Sequence, residues 1–374
     1  MSTAFRPYTQ EWEPAVGRFN RRISSHGGPS AFRFPESHVP AWLPPGGGRR
    51  TYTEMFLAAD GDEVRGGYVL RTQDFWVDGQ VLPVGSLQLP LSEGIVDPQF
   101  RFVGVQIVAD ALKRQPLLYA LGMGGEGEAY PRLLKGMGWP LFPVPFLFRV
   151  VRPSRFLRGM PLLRRDRKRR LAADLLARTG AGWAGVRLAQ LWASRGAPRG
   201  GDCRAEPVGA LGDWADEVWD ACKGRYTLAG TRDHDSLRSV FDGRYFKEPL
   251  ALKVTRGGRP VGWAALYDTQ MSGSRHFGDL RVGSLVDGFA APEDAPAVVA
   301  AATDFLARRG VDLIVTNQTH PAWNAAARGS GYLEGPSNFA FAMSKPLAAR
   351  LSPWQEARRG FHFDRADGDG PINL

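Results

Sequence analysis

At 374 residues the chain has room for two domains of ordinary size, and 43% hydrophobic with 23% charged residues is an ordinary soluble composition. No run of eighteen uncharged apolar residues occurs, which excludes a transmembrane helix, and residues 1–8 lack the apolar core of a signal peptide, so a cytoplasmic protein is expected. The formal net charge of +10 is concentrated in one segment, where Arg149, Arg152, Arg155, Arg158, Arg164, Arg165, Arg167, Lys168, Arg169 and Arg170 are opposed only by Asp166.

Taken in order, 5–8 reads as a strand and 11–22 as a helix with Trp12, Val16 and Phe19 on one face. The Pro-, Gly- and Ser-rich stretch 27–48 is an irregular connection. Strand signals follow at 54–59, 64–73, 75–77 and 81–90, with turns at Asp60-Gly61-Asp62 and Asp78-Gly79. A loop at 92–99, an apolar helix at 100–113, a strand at 116–122, a short helix from Tyr130 to Gly138-Trp139 and a strand at 141–150 complete the first half. After the basic segment come two apolar-periodic stretches, 171–177 and 186–192, and a helix at 214–223. Strands at 250–255 and 260–268 flank Arg256-Gly257-Gly258, and then the earlier pattern returns. It runs through a strand at 281–289, a loop at 290–296, a helix at 297–309, a strand at 311–317, a short helix from Pro321 to Gly331-Tyr332, and a last strand at 338–343.

Matching elements recur at an offset of roughly 200 residues, which marks a duplication rather than a short solenoid repeat. Each copy carries antiparallel strands, one crossover helix and a parallel strand, so the expected class is α/β (α+β) with two mixed, mostly antiparallel sheets and flanking helices. The expected division is 1–150 and 204–346 as two similar domains, 151–203 as a basic amphipathic linker and 347–374 as a tail. Cys203 and Cys222 fit neither a disulfide framework nor a zinc spacing and read as free thiols.

This plan resembles the GNAT acyltransferase fold. The segments ending in Gly138-Trp139 and Gly331-Tyr332 look like the last GNAT helix, which runs into a Gly-aromatic pair. The tandem arrangement resembles the two-domain GNAT and FemAB-like transferases of bacterial exopolysaccharide and cell-envelope systems. The resemblance implies an acetyl-CoA or other acyl-CoA donor, whose pyrophosphate would rest on backbone N–H groups at the start of the helix after the fourth strand. In the first half that position is held by Arg101, Phe102, Val103, Gly104, Val105 and Gln106, a partial match to the GNAT phosphate loop. A plainer role for Gly104 is close packing of the helix on the sheet. The equivalent second loop, 290–296, has two acids, two prolines and no glycine, so the first half is expected to hold the donor.

Acyl transfer to an amine needs a base for the ammonium proton and an acid for the leaving thiolate. The resemblance places a carboxylate near the fourth strand and a tyrosine on the last helix, which gives Glu93 and Asp97 as carboxylates and Tyr130 as the acid. Asp287 lies in an otherwise apolar strand, where a carboxylate is desolvated or paired. Each also has a structural reading: a turn cap, core packing, or a bulge. Asn317, His320 and Trp323 follow a parallel strand at its carboxyl end, where ligands gather, and are the candidate contacts to a sugar or other acceptor; a helix start with a core aromatic is the alternative. No His, Cys, Asp and Glu set has metal-ligand spacing; Asp364, Asp367 and Asp369 fall short of an EF-hand loop.

The arginines of 149–170 alternate with Phe156, Leu157, Met160, Leu162 and Leu163, which suits an anionic membrane surface or a solvated connector, with RNA phosphates third. The expected function is N-acyl transfer from acyl-CoA to a small-molecule or glycan amine, such as an amino sugar or envelope precursor, at the inner membrane face. The rivals are a FemAB-like aminoacyl transferase that uses charged tRNA, and a non-catalytic binding protein with decayed sites.

Overall fold

Two-residue turns set the registers from which both sheets grow. Asp78 and Gly79 take φ of 44° and 92° and join Val77 directly to Gln80; Gly257 and Gly258, at 57° and 82°, do the same for Arg256 and Arg259. Positive φ at both central positions matches the right-handed twist of the flanking strands, which is why Asp-Gly and Gly-Gly occupy them. The computed structural model describes residues 3–25, 32–125, 127–164, 166–195, 201–245 and 247–368. It divides into two units, Met1–Pro143 with Asn338–Ala357, and Val144–Ser337 with Arg358–Leu374.

The first unit opens with β1 (Ala4–Pro7) and α1 (Glu13–Ser25), then the antiparallel strands β2 (Tyr52–Asp60), β3 (Glu63–Val77) and β4 (Gln80–Ser92). Helix α2 (Val103–Arg114) crosses to the parallel strand β5 (Leu118–Met123), and α3 (Ala129–Gly136) and β6 (Leu141–Pro143) follow. The alternation of β2 sends Phe56 and Ala58 to one face, against Val103, Ile107, Val108 and Ala111 of α2, and Met55, Leu57 and Ala59 to the other, against Val16, Phe19 and Ile23 of α1. A strand covered on both faces reads as a continuous apolar run, as Met-Phe-Leu-Ala-Ala does here.

The second unit begins with β7 (Phe146–Val150), α4 (Pro153–Gly159), α5 (Arg167–Thr179) and α6 (Ala181–Ala193), so the basic segment leads into helices. Next come β8 (Arg204–Val208), α7 (Trp214–Cys222), β9 (Leu228–Gly230), α8 (His234–Val240), β10 (Leu250–Arg256), β11 (Arg259–Gln270) and β12 (Arg281–Ala290). The crossover α9 (Ala295–Arg308) leads to the parallel strand β13 (Leu313–Asn317), then α10 (Pro321–Gly329) and β14 (Leu333–Gly335). The chain returns to the first unit for β15 (Phe339–Met343) and α11 (Lys345–Arg350), and β16 (Phe361–His362) lies in the second. Its sheet runs β14-β7-β13-β12-β11-β10-β8, with Ala295, Val298, Val299, Ala302 and Leu306 of α9 in the main core. Both cysteines are free thiols.

The final strand of each copy is exchanged. The repeat pattern places 141–150 in the first copy and 338–343 in the second. Instead, Phe146–Val150 pairs antiparallel with β13 and Phe339–Met343 pairs antiparallel with β5. Pro143 ends β6 and Pro145 directly precedes β7, and neither can donate to a ladder. In a duplicated fold both receiving edges look alike from sequence, so the repeat cannot tell a strand's own sheet from the other.

Phe341 is fully buried on β15, with its ring 6.0 Å from Tyr119 and 5.1 Å from Phe142. Phe341→Ala is expected to destabilise the first unit by about 3–5 kcal/mol. Amide hydrogen exchange should then rise across β5 and not across β13; a rise confined to β13 would contradict the exchange.

Candidate functional site

In each copy the parallel pair opens partway along. Strands β4 and β5 are in register only at Gly85–Leu118 and Ser86–Tyr119, although β4 continues to Ser92 and β5 to Met123. Strands β12 and β13 pair at Val282–Leu313, Gly283–Ile314 and Ser284–Val315, and β12 continues to Ala290. A bulge accompanies each opening. Gly67 faces Leu91 and Val69 faces Gln88, so β4 carries an extra residue there, and Leu89 takes φ of 44°. On β12, Ala265 faces Asp287 and Leu266 faces Leu285, leaving Val286 as the extra residue. A bulge bends its strand, and these bends carry the fourth strand away from the fifth.

The second opening is filled by the chain itself. The side-chain hydroxyl of Thr316 donates to Leu285 O at 3.1 Å, Nε2 of His362 donates to Gly288 O at 2.8 Å, and the hydroxyl of Tyr226 donates to Ala290 O at 2.6 Å. Segment 361–363 is tied to the end of β13 by Thr319 N donating to Phe363 O at 3.0 Å and Phe363 N donating to Thr319 Oγ1 at 2.8 Å. It also pairs in parallel with β9. The gap beside β12 is therefore occupied by protein, and the carbonyls of Leu285, Gly288 and Ala290 have partners.

A buried ionic network latches that segment. Arg232, 2% exposed, donates from Nε to Asp287 at 3.0 Å and from Nη2 to Asp367 at 2.6 Å, with Asp364 3.6 Å away. Asp367 accepts the backbone N–H of Asp364 and completes a capping box. Burial, with Asp287 beside it, pushes the Asp364 carboxyl well above the usual range, while burial and Arg232 hold His362 well below the usual imidazole range. Ligand atoms of Asp287, His362 and Asp364 lie within 4.8 Å of one another, close enough to hold an ion. The guanidinium already supplies the positive charge there, so the donor set is that of an ion network rather than a metal centre.

The acceptor candidates of the second half sit in this same structure. Trp323 is completely buried and donates Nε1 to Tyr226 at 3.0 Å, which leaves no open ring face for a sugar. His320 accepts the backbone N–H of Ala322 on Nδ1 at 3.2 Å and caps α10, while burial pulls its imidazole down to about 4. Asn317 donates to Pro145 O at 3.0 Å and accepts from Arg365 at 2.7 Å. The apolar strand marks Asp287 in the sequence, but nothing local marks its partner Arg232, 55 positions away, or Tyr226 and His362, which donate to the same strand from 61 and 75 positions away. Asp369 lies outside the described residues.

In the first unit, no other strand enters the opening among the described residues. Glu93 is buried and accepts from Arg22 Nε at 2.8 Å and Arg65 Nη1 at 3.1 Å, and the Arg65 guanidinium lies 4.3 Å from the Phe100 ring centroid. These contacts tie the loop after β4 to its sheet. Gly94 is needed there, since a Cβ would come within 2.6 Å of Phe100 O. Asp97, half-buried, accepts Gln99 N at 2.9 Å and caps a short turn over Pro98–Phe100. Helix α2 then starts at Phe102 and Val103 with no side-chain cap and no acid in its first turn. Arg101, Phe102 and Val105 are exposed, Val103 is buried, Gly104 is half-buried, and a Cβ on Gly104 would meet only Leu133 Cδ2 at 3.5 Å. Packing thus does not require a glycine at 104. The buried side-chain oxygens of Gln106 and Tyr130 have no hydrogen-bond partner among the described residues, and burial raises the Tyr130 phenol well above its usual range.

His320 sets a pH dependence whose sign is fixed by its neutral state. Its folded value lies below the ordinary 6.5, so its contribution is present above that value and is lost as pH falls toward about 4. The loss should be on the order of 2 kcal/mol between about pH 7 and about pH 5. His320→Asn keeps a capping side chain without the titration. Thermal melts of this variant should fall less steeply over the same interval; an unchanged slope would assign the dependence to other groups.

No protein-family model and no curated protein sequence matches the chain. Among solved structures it is similar to a GCN5-related N-acetyltransferase from Anabaena variabilis ATCC 29413, at 10% identity over 91% of this chain and 72% of that one, with a TM-score of 0.52. Weaker likenesses include Saccharomyces cerevisiae N-myristoyltransferase with bound myristoyl-CoA, at 9% identity, 92% and 78% coverage and a TM-score of 0.47. A tandem GNAT protein from the clavulanic acid biosynthesis pathway gives 12%, 91% and 97%, and 0.45. At such identities the likeness is one of architecture, and over most of its length the chain has the GNAT fold.

Proposed function

We propose that the first unit is an acyl-CoA-dependent N-acyltransferase centre and that the second unit no longer binds a donor. The observation that carries this reading is the difference between two equivalent openings, one entered by no other strand of its unit among the described residues and one filled by 361–363 and its partners. The pantetheine arm would lie between β4 and β5, and the pyrophosphate at the start of α2. Its uncapped N–H groups and positive dipole end favour an anion, Arg101 adds charge, and Gly104 lets the backbone approach.

In the proposed reaction the amine nitrogen attacks the thioester carbonyl, the C–S bond breaks, the thiolate takes a proton and the ammonium nitrogen loses one. We assign the acid to Tyr130 because its phenol is protonated at neutral pH and its oxygen has no partner among the described residues; burial weakens the phenol as an acid, so the assignment rests on position. We assign the base to Asp97, whose carboxylate is partly exposed, and treat Glu93 as a positioning residue held by two guanidiniums. The acceptor is an amine; an amino sugar or envelope precursor is the class this reading favours.

Calorimetry with acetyl-CoA and longer acyl-CoA should give measurable binding that Gly104→Asp weakens by about a hundredfold, since an acid beside a pyrophosphate repels it. Tyr130→Phe should lower kcat by about 10²–10³-fold with KM for the donor little changed. Absence of binding to any acyl-CoA would sink the reading.

A further inference from the structure

We propose that the hairpin of α5 and α6 docks on an anionic lipid surface. Both helices are built inside out. On α5 the buried apolar positions are Ala173 and Ala177, while the larger Leu171 and Leu175 are more than half exposed. On α6 the buried positions are Gly182 and Gln190, with Leu188, Leu191 and Trp192 the most exposed at 65–74%. Close packing fixes this arrangement: a Cβ on Gly182 would lie 2.4 Å from Leu157 Cδ1, and Gln190 donates to Val150 O at 3.2 Å. A helix of a globular core buries its large side chains and exposes its small ones. Here eight of the fourteen large apolar side chains exposed among the described residues lie between Leu162 and Trp192. Such a concentration marks an interaction surface rather than scattered exposure.

Charge selects the occupant. Arg167, Lys168, Arg170 and Arg178 are exposed on α5, Arg195 is exposed just after α6, and Asp174 is paired with Arg164 at 2.6 Å. Anionic headgroups would meet the basic residues while the leucines and tryptophans enter the acyl boundary, which is how an interfacial helix binds. A symmetric contact between two copies would set basic face against basic face. Nucleic acid would leave the leucines in water. Each helix has 13 residues, about 20 Å in length, and no helix of the protein is long and apolar enough to cross a membrane among the described residues, so the hairpin would lie in the interface plane.

The test is flotation of the full chain with vesicles of phosphatidylcholine and phosphatidylglycerol, and with vesicles of phosphatidylcholine alone. Binding to the anionic vesicles is expected, reduced about tenfold or more in a Leu188→Ser, Trp192→Ser double variant. Lys168→Glu with Arg170→Glu should remove the preference for phosphatidylglycerol. These residues are exposed, so unchanged thermal melts should accompany both effects. The proposal is overturned if neither vesicle binds, if both double variants bind like the parent chain, if the surface binds only RNA, or if it forms a dimer that Leu188→Ser and Trp192→Ser dissolve.

Discussion

A parallel strand pair that stops exchanging hydrogen bonds partway along leaves backbone groups that something else must satisfy. Both copies carry this constraint, and each meets it differently. In the second unit Thr316, His362 and Tyr226 donate to the carbonyls of Leu285, Gly288 and Ala290 on β12, and 361–363 docks beside the end of β13. That segment needs its own anchor, which Arg232 supplies through Asp287 and Asp367. Breaking a buried ion pair costs several kcal/mol because the remaining charge is unsolvated, so the plug and the network stand or fall together. In the first unit the equivalent opening stays between paired outer edges, β3 on one side and β15 on the other.

The same asymmetry orders the two helix starts. Helix α9 begins with Asp294 at its N-cap and Pro296 in its first turn, and Asp294 pairs with Arg256. A proline removes a donor and an acid occupies the positive end of the dipole, which leaves little for an external anion. Helix α2 has neither feature. One sequence difference at two equivalent loops thus agrees with the difference between the two openings.

Much of the fold was legible because its signals are local. Asp78-Gly79 and Gly257-Gly258 announced their hairpins, and Val16 and Phe19 announced the buried face of α1. The alternative for Gly104, close packing, was decidable only from geometry, which shows ordinary contact. The exchange of β7 and β15 was not legible, because the two receiving strands are copies of one pattern and periodicity does not choose between them. The surroundings of Asn317, His320 and Trp323 were not legible for a related reason. Polar residues after a parallel strand look alike whether they face a ligand or close a gap. His320 and Trp323 turned out to cap a helix and fill a core once 361–367, far along the chain, was in place. The network around Arg232 joins residues as many as 135 positions apart, and no short motif announces such a set.

The central claim is that one opening of the two accepts an acyl donor. The most direct measurement is the stoichiometry of acyl-CoA binding to the full chain by calorimetry at saturating protein. One donor per chain is the expected result. Two per chain would mean that 361–367 leaves the second opening to admit a ligand, and would contradict the account.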